Sequence, residues 1–282
     1  LILTVFESLI AALLIFLVMA FVFRLPIPFS LLLGAIGSAT APASTIMSIR
    51  QYKAKGQFVD ILLQIVALDD AVALLAFSVC AAIAQAMEGG GGISPKAVLL
   101  PILWNLLALA AGALAGFLLH KLIGENRSSQ HRLVLVTALL LSITGFCTAL
   151  DISPLLACMV MGAVYINVSG NKKVFKQVNG FTPPIQLLFF VLSGMRMDLT
   201  ALKAAGLIGV VYFLVRIIGK YAGAWLGAVL GKASVPIRRY LGLALIPQAG
   251  VSIGLALLGQ RILPAESGAL LSTIILSSGV LY

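Results

Sequence analysis

The stretch VALDDAVALL (66–75) places two adjacent carboxylates, Asp69 and Asp70, inside an apolar run. Carboxylates in such a setting can bind and release a proton or a small cation, and intramembrane acids mark ion and proton routes. Each costs roughly 2.5–3.5 kcal/mol at a bilayer centre, so a pair needs partners. Adjacent residues on a helix point about 100° apart. The two acids therefore serve two partners rather than sharing one proton: one can face a neighbouring helix while the other faces a cavity. Intramembrane aspartyl proteolysis needs two acids from different helices on one water, and Asp60 lies too near the interface to be the second. The chain is read as a non-enzyme.

A second charged pair lies in YFLVRIIGKYAGAWLG (212–227). Lys220 is ~16 Å from the end of its run near Gly231, against ~20 Å for the aspartates in theirs. A lysine at that depth requires a carboxylate. Arg216 lies one turn away on the same face and is a possible accessory residue. Glu7 and Asn105 read equally well as packing or as cavity residues. His120 and His131 read as solvated loop flanks.

The elements that must position these residues are membrane helices. Of 282 residues, 61% are hydrophobic and 10% charged, and the mean hydropathy is +1.13. Soluble domains run nearer a quarter charged. Apolar runs of about 20 residues point to helices and not to a β-barrel. Ten segments are expected, at 1–23, 28–49, 57–87, 97–123, 132–150, 154–169, 182–197, 199–231, 239–260 and 264–282. EGGGGISPK (88–96) reads as a flexible loop. Cys80, Cys147 and Cys158 lie in apolar runs at no metal-like spacing and read as packing residues. The chain opens and closes inside apolar runs, which suggests a fragment missing elements at both ends.

The net charge of +10 does not point to nucleic acid, because the basic residues sit between apolar runs. Alternate loops carry twelve of them on one side (Arg50, Lys53, Lys55; Lys121, Arg127, Arg132; Lys172, Lys173, Lys176; Lys232, Arg238, Arg239). Five lie on the other: Arg24, Lys96, Arg196, Lys203 and Arg261. The positive-inside rule makes the twelve-charge side cytoplasmic.

Segments two and nine share a weaker signal. GAIGSATAPASTIMSI (34–49) and GLALIPQAGVSIGLAL (242–257) are each interrupted by proline and small polar residues. The breaks fall at Thr40-Ala41-Pro42 and Pro247-Gln248-Ala249-Gly250, with Ser38 just before the first. Repeat one then covers about 1–87, connecting segments 97–197, and repeat two about 199–282. Four intervening segments invert the second triplet, giving one membrane transport domain over 1–282. Paired interrupted helices in inverted repeats point to a transporter's midplane site.

At this point the chain resembles the monovalent cation:proton antiporter superfamily, best known for bacterial sodium/proton antiporters. The matching stretches are SATAPAS (38–44), ALDDAV (67–72), DISPLLA (151–157), FFVLSGMRMDL (189–199), GKYAG (219–223) and LIPQAGVSIGLA (245–256). They occur in the family's order and span nearly the whole chain. The resemblance implies an all-α fold with a core domain, a panel-like dimerisation domain and two discontinuous helices crossing beside the aspartates. It implies that Asp70 is the main cation and proton carrier, that Asp69 pairs with Lys220, and that Thr40 neighbours the ion. Ser38 and Gln248 would be accessory. It also implies a homodimer whose N-terminal dimerisation helices this chain lacks. Many relatives carry Thr-Asp-Pro in the broken helix; here position 41 is Ala, one negative charge fewer. The double aspartate resembles the electrogenic branch.

The expected function is exchange of a monovalent cation, foremost Na⁺, for protons by alternating access, without a cofactor, in a bacterial inner membrane. Potassium/proton exchange or gated potassium efflux on the same fold is one alternative. Sodium-coupled uptake of an organic anion, held by half-helix ends and Arg216, is the other.

Overall fold

A computed structural model describes residues 2–88, 95–123, 128–150, 154–195, 199–248 and 250–281. The glycine-rich loop at 89–94, Arg127, Asp151, Arg196, Asp198 and Ala249 lie outside them, as do the side chains of Lys96 and Lys203. The described residues form helices joined by turns, with no strand among them: α1 (Ile2–Leu17), α2 (Ile27–Ser38), α3 (Pro42–Gln51), α4 (Gln57–Glu88), α5 (Pro95–Leu122), α6 (Ser129–Ala149), α7 (Pro154–Ser169), α8 (Lys173–Met195), α9 (Leu199–Leu230), α10 (Val235–Ala244), α11 (Val251–Ile262) and α12 (Ala265–Leu281). A π-turn at Val18–Val22 extends α1.

Among the described residues, six helices are long and apolar enough to cross a membrane: Ile2–Val22, Gln57–Glu88, Leu103–Leu122, Ser129–Ala149, Lys173–Met195 and Gly206–Leu230. The other four expected segments differ for two reasons. Segments two and nine are each a pair of short helices, α2/α3 and α10/α11, and α7 and α12 are shorter than a full span. One boundary is corrected. α8 starts at Lys173, not near 182, so Lys173 and Lys176 stand on a helix rather than in a loop. Its polar first half (KVFKQVNGFT) hid the start, and Pro183-Pro184 lie in its interior. Membrane helices absorb such prolines through neighbouring groups.

The residues fall into two compact units, Leu1–Ala97 with Arg196–Tyr282, and Val98–Met195. The second unit holds α5 to α8. One of its cores gathers Ala108, Ala115, Ile143, Cys147, Ala157 and Met161. Another gathers Leu119, Val136, Tyr165 and Val174.

Whereas Asn105 lies in the second unit, the first carries Glu7, Thr40, Asp69, Asp70, Arg216, Lys220 and Gln248. At its centre α1 packs along α9, and glycine makes the approach possible. A Cβ at Gly223 would stand 2.7 Å from the Glu7 Cα, and one at Gly219 2.8 Å from the Ala11 Cα. With Gly227 these residues recur every fourth position on one face of α9, the small-residue spacing that lets membrane helices touch backbone to backbone. A core of Leu62, Ile65, Val66, Ala224, Ala228, Ile237, Leu241 and Leu245 joins α4, α9 and α10.

The interruptions follow from local sequence. A residue before proline is biased to extended backbone, and Ala41, before Pro42, has φ −89° and ψ 105°. Pro42 then starts α3, where its missing N–H is no loss. In the second break, Gly250 takes a positive φ of 34° ahead of α11. The breaks meet: the Ala41 N–H donates to the Pro247 carbonyl at 2.8 Å.

Candidate functional site

α9 presents two buried cations one turn apart, Arg216 and Lys220, both with no exposed surface. They do different work. Arg216 bonds to main chain: its Nε donates to the Gly37 carbonyl (2.8 Å) and its Nη2 to the Ala39 carbonyl (2.7 Å). Its Nη1 donates to the Ile246 carbonyl. These carbonyls lie at the C-terminal ends of α2 and α10, where helices leave unpaired acceptors and a partial negative charge. The guanidinium neutralises both ends at once. Beside it Gln248 donates to the Ile36 carbonyl (3.2 Å) and bonds with the Tyr212 hydroxyl at 3.0–3.1 Å. The interrupted backbone is thus satisfied inside the protein, as an apolar surround demands.

Lys220 is the centre of the second cluster. Its Nζ donates to Glu7 Oε2 at 2.7 Å, to Thr40 Oγ1 at 2.8 Å and to Asp69 Oδ2 at 3.1 Å. Three N–H groups meet three acceptors, the full capacity of an ammonium. Glu7 and Asp69 form ion pairs with it at zero exposure on every side chain. Ser8, buried on α1, donates to Asp69 Oδ1.

Asp70 stands apart. One position along α4, it is half-buried, and its Oδ1 is buried with no hydrogen-bond partner. The structure therefore brings together Asp69, Lys220 and Thr40, and holds Arg216 and Gln248 at the two breaks with Pro42, Pro247 and Gly250. Ser38 is buried and its hydroxyl turns back to the Ala35 carbonyl (2.7 Å). Thr40 Oγ1 accepts from the Lys220 ammonium.

The residue that sequence reasoning underweighted is Glu7. It stands only six positions from the start of the chain, so depth gave no reason to prefer a site over packing. The usable signal was the Gly219, Gly223 and Gly227 spacing, which marks the face of α9 that another helix must press against. Ser8 and Tyr212 carried no sequence signal of their own.

Membrane-length helices around a buried cluster of carboxylates and one ammonium, set beside two breaks joined by a backbone hydrogen bond, define an integral membrane protein of the ion-transporting class. Residues 1–281 match the family described as sodium/hydrogen exchanger, transmembrane. The chain belongs to that family, whose members are cation:proton antiporters and not enzymes. A comparison with curated proteins gives no match.

Proposed function

We propose that this chain exchanges Na⁺ for protons by alternating access, with Asp70 as the carrier of both ions. The observation that supports this reading is the contrast between neighbouring acids. Asp69 is saturated by Lys220 and Ser8, whereas Asp70 keeps a buried oxygen with no partner. A buried carboxylate without a partner is costly. A proton or a desolvated cation relieves that cost, and the two compete for the same oxygen. A loaded site is closer to neutral and crosses an apolar barrier more easily than an empty one.

Asp69, ion-paired with Lys220, is the second acid of the site. Glu7 shapes how that pair works. If Asp69 takes a proton, Lys220 keeps Glu7 as its counter-ion and is not left as a lone buried charge. Two protons can then load the site, at Asp69 and Asp70, against one cation, which makes exchange electrogenic. On this reading the protein acts as a homodimer in a bacterial inner membrane, with the Lys/Arg-rich loops cytoplasmic and no cofactor.

The test is cation-driven proton flux in proteoliposomes of the full-length protein, with Na⁺, Li⁺ and K⁺ compared. Exchange with Na⁺ is expected, and Asp70→Asn is expected to abolish it. Undiminished exchange by that variant would sink the mechanism, and activity confined to K⁺ would move the cation to the potassium alternative. Uptake of an organic anion loses its best support, since the Arg216 guanidinium is engaged by three main-chain carbonyls.

A further inference from the structure

A cleft of about 380 Å³ opens between the first turn of α1, the first half of α4 and the α9–α10 turn. It is large against the ~30 Å³ that one water occupies in the liquid. Its walls include Thr4, Gln57, Gln64, Leu68, Lys232 and Ser234. Thr4 has no exposed surface, and its Oγ1 has no hydrogen-bond partner. A hydroxyl shut away with nothing to bond is unusual, and this one lines a cavity.

The cleft has a direction. Thr4 precedes Glu7 and Ser8 by three and four residues, which places all three on one face of α1. On α4, Gln57, Gln64 and Leu68 share a face; Asp69 lies about 100° round from Leu68 and Asp70 about 200°. The inner end thus approaches the Glu7–Lys220–Asp69 cluster and lies on the opposite side of α4 from Asp70. The wall suits water more than a metal cation: it offers amides and hydroxyls and a positive Lys232, and no carboxylate.

We propose that this cleft is a proton route to the Glu7–Lys220–Asp69 cluster, entered beside Lys232, relayed by the Thr4 hydroxyl, and separate from the approach to Asp70. An excess proton carried by cleft water passes to Thr4 Oγ1 as Thr4 gives its own proton to water on the Glu7 side, which leaves the cleft water neutral and the hydroxyl restored. That water protonates Asp69, whose carboxylate becomes a carboxylic acid while Glu7 stays the counter-ion of Lys220, with no other net change in bonding. Discharge runs the same steps backwards. Thr4 is a positioning residue for this transfer. The proposal rests on the exchange reading above and adds a second entrance to it.

Two measurements on the full-length protein test it. The first is flux in proteoliposomes. Thr4→Val, which keeps shape and removes the hydroxyl, should cut maximal proton flux roughly a hundredfold, the low end for a positioned proton-transfer group. The KM for the cation should stay unchanged, and Thr4→Ser should restore the rate. Parent-like flux in Thr4→Val overturns the relay. The second needs no transport. With Cys80, Cys147 and Cys158 replaced by alanine, Leu68→Cys should react with a membrane-impermeant cationic thiol reagent added to the face that carries Lys232. A folded Leu68→Cys protein that stays unlabelled overturns the aqueous cleft, including where Thr4→Val fails to fold. A parent protein without cation-driven flux overturns the exchange reading instead, and the labelling still decides whether the cleft admits water.

Discussion

Lys220 is the residue on which the polar centre turns, because its three N–H groups are committed to acceptors on two helices and one break: Glu7 on α1, Asp69 on α4 and Thr40 at the first break. Removing one member of a buried ion pair leaves an uncompensated charge, at about 3–5 kcal/mol. Lys220→Met should destabilise the protein by that amount, read from unfolding in detergent. Adding Glu7→Gln and Asp69→Asn should recover most of it, because no buried charge is then left over from the cluster. A loss below about 1 kcal/mol for the single variant would mean that water reaches the cluster and the charges are screened. The types of these residues were legible in the sequence; their grouping was only partly so. Lys220 matched the two aspartates in depth and opposed them in charge, so charge pairing nominates a carboxylate partner, whereas the choice of Asp69 over Asp70 came from the resemblance. Glu7 had the right charge, but nothing in its own neighbourhood fixed which helix it would meet. Its partner is set by packing between α1 and α9, a contact across more than two hundred residues of chain.

At the scale of the element, α9 is a ruler. Its glycines let α1 close to van der Waals contact and so bring the Glu7 backbone beside the helix that carries Lys220. Gly223→Leu would drive side-chain atoms into the Glu7 Cα, and overpacking of this kind costs typically 1–3 kcal/mol or more. We expect a lowered Tm and the loss of cation-driven flux together, because the ion pair is pushed apart. Gly209→Ala is the control on the same helix: a Cβ there meets nothing within 4 Å, and its effect should stay within about 0.5 kcal/mol. Equal effects of the two would remove close helix contact as the cause. The helix breaks were legible for a physical reason, since proline and the residue before it constrain backbone whatever surrounds them. The start of α8 was not, because a polar helical turn and a polar loop share a composition.

For the molecule as a whole, sidedness is the property that connects the charge pattern to the direction of transport. Arg50 lies at the end of α3, Lys53 and Lys55 in the turn after it, Lys232 after α9 in the wall of the cleft, and Arg238 and Arg239 on α10, while Arg24 follows the first span and Arg261 ends α11, on the alternate side of the sequence pattern. With the native cysteines removed, Lys53→Cys and Lys232→Cys should be labelled in cells only by a membrane-permeant thiol reagent. Arg24→Cys and Arg261→Cys should react with an impermeant one. The reverse pattern would invert the orientation and, with it, the side from which the cleft fills. The ten apolar runs were readable because a bilayer imposes length and composition on anything that crosses it. How two of them divide into short helices that meet was readable only as interruptions, since the bonds closing that meeting join positions far apart in sequence: Arg216 to Gly37 and Ile246, and Gln248 of the second break to Ile36 before the first. The face of α9 that runs from Arg216 through Lys220 to Gly227 has one more consequence, and it concerns how such a chain can diverge. One residue inserted or deleted there would turn everything beyond it by about 100°, separating the cation that seals the breaks from the cation that holds the acids and from the glycines that admit α1. Substitutions along this stretch are separate events, whereas a shift in length is a single event that disables all three. Descendants of this sequence are therefore expected to vary in length in their loops and to keep this run of α9 in frame.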